Sequence, residues 1–176
     1  MHEGLSEKVP KVGGLSESKY NIGETDLVIT VINELTNELG LKGSDIGVIS
    51  PYNAQVNLIK KQINFVLPDI CSQIEVSTVD GFQGREKEVI IISMVRSNPS
   101  KEVGFLCNER RMNVAVTRAK RMCALICDSG TVNHNEFLKG LTDYFKANGV
   151  SRSSFDYQAN PDVRIMYGDK QVVSNA

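Results

Sequence analysis

The sequence predicts an α/β fold in which a parallel β-sheet carries helices on both faces. Strand-like and helical patterns alternate along the 176 residues. Two of the strand-like segments, residues 88–95 and 122–127, are nearly continuous apolar runs, which is typical of strands buried on both faces. The chain has the length of one ordinary domain with its own core.

The first half of the chain predicts two amphipathic helices separated by a strand. Apolar residues recur at helical spacing over residues 23–39, with Glu24 and Asp26 in the first turn and Gly40 as a stop signal. Residues 45–50 form a β-rich run that Pro51 closes, and residues 53–67 repeat the helical spacing.

The second half repeats this alternation around a glycine-containing loop. The predicted elements are a strand at 73–77, a loop at 80–85, a strand at 88–95, a helix at 108–119, a strand at 122–127 and a helix at 133–147. We expect residues 1–20 to be a linker, residues 21–150 to be the domain, and residues 151–176 to be a poorly ordered peripheral extension.

Composition narrows the class of protein. Hydrophobic residues make up 41% and charged residues 23%, and neither a membrane-spanning run nor a secretory signal is visible, so we expect a cytoplasmic or nuclear protein without a membrane partner. Four cysteines without a CxxC pair and two distant histidines predict no metal site. The net charge of −1 offers no general attraction for nucleic acid, but residues 108–121 (NERRMNVAVTRAKR) carry five basic residues against one acid.

Three segments are expected at the carboxyl ends of strands, where function collects in such sheets. In STVDGFQGRE (77–86), Gly81 and Gly84 permit a tight turn, and the polar ends include Glu86. Phosphate would repel the Glu86 carboxylate, so a nucleotide contact there would be with ribose hydroxyls. The alternative interpretation is an ordinary loop with a solvated Arg and Glu pair.

The other two segments offer a cationic helix and an aromatic turn. Arg111 and Arg118 lie seven positions apart on the predicted helix 108–119 and share its edge, where a planar cation stabilises charge on a transferred phosphoryl group. The alternative is a surface helix decorated by basic residues. In SPYNAQ (50–55), Tyr52 could stack on a base, and the alternative is a plain helix entry with Asn53 as N-cap.

These three segments resemble the motifs of one helicase family. VISPYNAQV resembles motif IV, VSTVDGFQGREKEVIIISMVRS motif V, and VGFLCNERRMNVAVTRAKR motif VI of the Up-frameshift-like (DNA2/NAM7-like) branch of superfamily 1 helicases. The continuation ICDSGTVNHNEFLKGLTDYF is most similar to the group that contains the immunoglobulin mu-binding and DNA polymerase alpha-associated helicases.

The resemblance implies the second RecA-like domain, with the P-loop NTPase fold, of an ATP-dependent motor that moves 5′ to 3′ on single-stranded RNA or DNA. It implies that Arg118 is the arginine finger, that Glu86 holds the ATP ribose, and that Ser77, Thr78 and Tyr52 face nucleic acid. The remaining implied nucleotide contacts are Gln83, Gly84, Arg85 and Arg111.

A motif that such a motor needs is missing from this sequence. No GxxxxGK[ST] phosphate loop occurs, so we expect ATP and Mg²⁺ to be held mainly by a first RecA-like domain of a longer protein, which is then a partner of this one. Two alternatives remain open: a catalytically silent nucleic-acid-binding or interaction module with this fold, and another member of the same helicase branch.

Overall fold

A four-stranded parallel sheet forms the centre of this computed structural model, which describes residues 6–8 and 18–158. Its strands are paired in the order β4–β3–β5–β6. They span Ile46–Ser50 (β3), Glu75–Thr78 (β4), Lys87–Ser93 (β5) and Ala119–Ile126 (β6). The predicted α/β class with a parallel sheet is confirmed.

Helices cover both faces of this sheet. The α-helices are α1 (Ile22–Asn33), α2 (Asn53–Val66), α3 (Glu109–Val116), α4 (Ser129–Val132), α5 (Glu136–Asn148) and α6 (Ser154–Gln158). A π-helical stretch, Glu34–Glu38, extends α1, and 3₁₀ turns cover Gly43–Asp45 and Gly104–Cys107. These bounds agree with the predicted elements to within a few residues, and α4 and α6 were not predicted.

The side chains of β5 alternate between two separate cores. Val89 and Ile91 pack with α1 and α2, whereas Ile90 and Ile92 pack with α3 and α5. All four are at most 3% exposed. The prediction that this strand is buried on both faces is therefore confirmed, and it follows from the central place of β5 in the sheet.

Strand β6 differs from its prediction in two ways. It is an edge strand among the described residues, pairing only with β5, and Met122 is 42% exposed. It also begins at Ala119, which pairs with Lys87, so α3 ends at Val116 and does not reach 119. Arg118 consequently lies in the turn between α3 and β6, outside the helix.

The amino-terminal segment contributes more than the expected linker. Glu7–Lys8 (β1) pairs antiparallel with Tyr20–Asn21 (β2), and the Glu7 carboxylate lies 2.8 Å from Nε of the buried Arg96. Residues 1–5 and 9–17, the rest of that expected linker, lie outside the described residues. So do residues 159–176 of the expected extension, whose residues 151–158 contain α6.

A close approach at Gly47 fixes the connection from β4 to β5. The ring of Phe82, in that connection, is fully buried against β3, where a Cβ on Gly47 would lie 2.7 Å from Cζ of Phe82 and 2.8 Å from Cδ1 of Ile90. Real Cβ atoms do not approach other atoms so closely. Because Gly47 has no side chain, the Phe82 ring can pack directly against the backbone of β3.

A buried polar network joins α1, α2 and the end of β5. Oε2 of Glu24 accepts hydrogen bonds from Oγ of Ser93 (2.6 Å) and from the Val95 amide (2.8 Å). Asn21 donates to the Val95 carbonyl, at 3.1 Å, and Gln55 donates to Ser93 Oγ, at 2.9 Å. These bonds hold Val95 at a φ of 72°, a strained value for a β-branched residue, where the chain leaves β5.

Substituting alanine at Gly47 is expected to destabilise the domain. The added methyl group would displace Phe82 or Ile90, and overpacking of this kind costs about 1–3 kcal/mol in free energy of unfolding. Gly140→Ala on α5 is the matched control, because nothing lies within 4 Å of its added Cβ and alanine favours a helix by about 0.5–1 kcal/mol. Urea unfolding of both variants checks this, and equal effects would contradict the packing account.

Stability is also expected to depend on the ionisation of Glu24. Burial raises the pKa of Glu24 to about 7, against about 4.3 in an unfolded chain, so the folded state binds this proton more tightly. The resulting stabilisation is complete below about pH 4.3 and is lost as the pH rises through about 7. As the pH rises from about 5 to about 8, the unfolding free energy of wild type should fall relative to that of Glu24→Gln.

The measurement is urea unfolding at several pH values, with Glu38→Gln as a control at an exposed carboxylate. Parallel pH profiles for wild type and Glu24→Gln would show that the buried carboxyl carries no such linkage. The Glu38→Gln profile should parallel wild type throughout.

Candidate functional site

Residues 79–86 run from the edge of the sheet at which the parallel strands end, the carboxyl edge, to the edge at which they begin, the amino edge. β4 ends at Thr78 and the parallel β5 begins at Lys87, so the connection must return from the carboxyl edge to the amino edge. It does so through consecutive turns, with Gly84 at a φ of 79°, as the glycine pattern predicted. The expectation that this whole motif lies at the carboxyl edge is wrong, because Arg85 and Glu86 reach the amino edge.

Arg118 lies at the amino edge beside this connection. The Lys87 amide donates to the Arg118 carbonyl at 3.1 Å, and Nη1 of Arg118 lies 3.5 Å from the Arg85 carbonyl oxygen. Its other guanidinium nitrogens donate to the Val114 carbonyl, at 3.0 Å, and to the Thr117 hydroxyl, at 3.2 Å. None of the ion pairs among the described residues involves Arg118, so its charge is held by neutral acceptors only.

The neighbours of Arg118 carry charges of both signs. Glu86 has 62% of its side chain exposed and lies 3.5 Å from Nζ of Lys120, which also contacts Glu88 at 3.7 Å. Arg85 forms an ion pair with Glu75 at the start of β4, while Gln83 is exposed to solvent. Glu86 is thus an accessible hydrogen-bond acceptor beside the Lys120 cation.

Arg111 does not join Arg118. It lies in the first turn of α3 and forms a two-point ion pair with Asp80, in which Nε lies 3.1 Å from Oδ1 and Nη2 contacts Oδ2. Val116, the last residue of α3, is about 7.5 Å further along the axis at 1.5 Å per residue, and Arg118 lies beyond it in the turn. The expectation that the two arginines share the edge of one helix is therefore wrong, because pairing of β6 with β5 ends the helix early.

The carboxyl edge holds the residues that were expected to face nucleic acid. The Thr78 hydroxyl accepts the Gly81 amide at 3.2 Å, and Ser77 lies so close to Gly81 that any side chain there would collide with it. Both residues are half-buried. They shape the start of the crossing connection and leave part of each side chain accessible.

Tyr52 is not available for base stacking. Only 2% of it is exposed, because Phe105 covers its ring at a centroid distance of 5.6 Å, and burial raises the pKa of its hydroxyl. Tyr52 is also the N-cap residue of α2, without a side-chain capping bond, so Asn53 is not the cap. The structure gives Tyr52 a packing role.

Sequence reasoning did not single out Asp80, Lys120 or Phe105. Asp80 and Lys120 acquire their importance from partners in other elements, which no local pattern reveals. Phe105 is an exposed aromatic residue in a short 3₁₀ turn, where helical or strand periodicity gives no signal. Its position just before the motif VI helix was the available clue.

Three other features concern the part of the chain that the structure describes: metal-binding clusters, membrane-spanning helices and reactive thiols. Within residues 6–8 and 18–158, no group of three His, Cys, Asp or Glu side chains could hold a metal ion. Over the same residues, every helix is too short or too polar to cross a membrane. Burial raises the pKa of Cys123 and Cys127 to about 12, so both thiols stay protonated.

Comparison with known proteins shows the family to which this chain belongs. The chain matches the family model described as AAA domain over residues 3–130. It is 51% identical over 142 residues to the DNA-binding protein SMUBP-2 of Rattus norvegicus, covering 81% of this chain and 14% of that protein. It is 47% identical over 137 residues to the DNA polymerase alpha-associated DNA helicase A of Saccharomyces cerevisiae, covering 77% of this chain and 20% of the relative.

A third relative is less similar to this chain. The chain is 35% identical over 130 residues to the helicase sen1 of Schizosaccharomyces pombe, covering 72% of this chain and 8% of that protein. The chain spans a fifth or less of the length of each of these three relatives. It belongs to the family matched by the AAA domain model and to the DNA2/NAM7-like branch of superfamily 1 helicases.

Proposed function

We propose that this chain is the second RecA-like motor domain of an ATP-dependent helicase that moves 5′ to 3′ on single-stranded RNA or DNA. In this proposal residues 21–150 form the motor domain, which also draws on Glu7–Lys8, and residues 151–176 are a peripheral extension. The full-length protein would act in the cytoplasm, the nucleus or both. Membership of the helicase branch supports this assignment.

The observation that carries the proposal is the state of Arg118. Its guanidinium lies beside the Arg85 carbonyl at the amino edge, bound to neutral acceptors and to no carboxylate among the described residues. A cation held in this way keeps its full charge for an anion that approaches. We assign Arg118 as the arginine finger that stabilises negative charge on the transferred γ-phosphoryl group.

The neighbouring residues would bind the rest of the nucleotide. Glu86 would accept hydrogen bonds from the ribose hydroxyls and would leave Lys120 to do so. Nucleotide binding at Glu86 would also move the three residues that directly precede it in the chain, Gln83, Gly84 and Arg85. ATP supplies the phosphoryl group when it is bound, and we assign Mg²⁺ and the triphosphate mainly to the first RecA-like domain of the full-length protein.

Nucleic acid would occupy the opposite, carboxyl edge. Ser77 and Thr78 end β4 there and keep their side chains partly accessible. Separate edges for the two ligands would let residues 79–86 connect them, because this segment begins at one edge and ends at the other. Arg111, held by Asp80, belongs to this connection more than to the nucleotide pocket.

Removing the finger is expected to abolish turnover while binding survives. In the full-length protein, Arg118→Ala should lower single-strand-stimulated ATP hydrolysis by about a thousandfold or more. Nucleotide and single-strand affinity should stay within a few-fold of wild type, because the first domain holds the phosphates. Arg118→Lys should restore little activity, since an ammonium group lacks the planar fork.

Arg110→Ala is the matched control, since this exposed arginine lies on α3 without an ion pair among the described residues. It should retain activity close to wild type. Wild-type turnover by Arg118→Ala would show that Arg118 is not the arginine finger, whereas no strand-stimulated turnover by the wild-type protein itself would favour the catalytically silent module. A large drop in its melting temperature would make Arg118 a packing residue instead.

A further inference from the structure

An exposed aromatic ring lies at the carboxyl edge of the sheet. Phe105 is 45% exposed, although the next residue in the same 3₁₀ turn, Leu106, is fully buried. Exposing a phenylalanine ring to water is unfavourable by the apolar area left uncovered. Single exposed rings are common on protein surfaces, so the position of this ring at the candidate binding edge and its fixed orientation carry the inference, and not its exposure alone.

The Phe105 ring is held in a fixed orientation by its neighbours. Tyr52 packs against it with a centroid distance of 5.6 Å and an angle of 49° between the ring planes. On its amino-terminal side, Gly104 has a φ of 54°, and a Cβ there would lie 2.8 Å from the Tyr52 hydroxyl and would clash with the Arg96 guanidinium. Buried Leu106 anchors the other side. Phe105 therefore presents a surface of fixed orientation.

The position of this surface relates it to the nucleic-acid edge. Tyr52 follows the end of β3, and Ser50 of β3 pairs with Thr78 at the end of β4. Because the Phe105 ring contacts Tyr52, it lies near the end of β3. This strand pairs with β4, which carries Ser77 and Thr78. Lys101 and Glu102 precede the turn with opposite charges, so local charge offers phosphate no clear advantage. The accessible face of the ring is what this part of the edge presents to a ligand.

We propose that Phe105 is a stacking platform for a base of the single-stranded nucleic acid. This inference rests on the proposed function and adds a base contact to the contacts proposed for Ser77 and Thr78 at the carboxyl edge. Every base has a π face, so the platform would hold a strand without selecting its sequence. It also replaces Tyr52, which Phe105 itself covers, as the aromatic residue that meets the strand.

The test measures single-strand binding by the full-length protein in fluorescence anisotropy. The probes are an oligothymidine strand and a strand of the same length in which the bases are replaced by abasic sites. Phe105→Ala should weaken binding to oligothymidine about five- to hundredfold, and Phe105→Trp should retain wild-type affinity. On the abasic strand the alanine variant and wild type should bind equally. The slope of log affinity against log salt should not change, because no phosphate contact is lost.

Phe65→Ala is the matched control. Phe65 is 78% exposed, in the last turn of α2, which begins at the carboxyl edge and ends towards the amino edge. This variant should bind both strands as wild type does. Unchanged binding by Phe105→Ala, or an equal loss on the abasic strand, would overturn the platform. If wild type bound neither strand, the proposed function would fail instead.

Discussion

The packing of Phe82 into the space left by Gly47 is the contact on which the functional part of this chain depends. This contact holds residues 79–86 against β3. The connection therefore crosses the sheet along a fixed path, as a strip of backbone, and is not a free loop. Thr78 and Asp80 are thereby placed at the carboxyl end of this strip, and Arg85 and Glu86 at its amino end. A larger residue at position 47 would force Phe82 or Ile90 to shift.

A second element runs the same course beside the strip. Helix α3 begins near Phe105 at the carboxyl edge, is tied to Asp80 by Arg111, and ends at the turn that holds Arg118. Strip and helix meet again where Arg118 contacts the Arg85 carbonyl. In the proposed motor, a strand bound at one edge and a nucleotide bound at the other would therefore act on the same two elements. This geometry offers a physical route for coupling and assigns each edge one ligand.

Much of this arrangement was predictable from local patterns, and the rest depends on contacts between distant residues. Periodicity places α1, α2 and α5 because each buries one stripe of apolar residues, and the apolar run of β5 correctly indicates burial on both faces. The run in β6 looks the same, yet this strand has one neighbour among the described residues. Pairing of Ala119 with Lys87 moved Arg118 out of its predicted helix, and Phe105 buried Tyr52. No window of local sequence contains either contact.

Residues 79–86 should respond to both ligands, and amide hydrogen exchange of the full-length protein tests this coupling most directly. Exchange in peptides covering this segment would be followed with a single strand alone, with a non-hydrolysable ATP analogue alone, and with neither. We predict that each ligand alone slows exchange across the whole segment, including the end that it does not touch. Protection confined to the edge that each ligand contacts would contradict a rigid connection between the two sites.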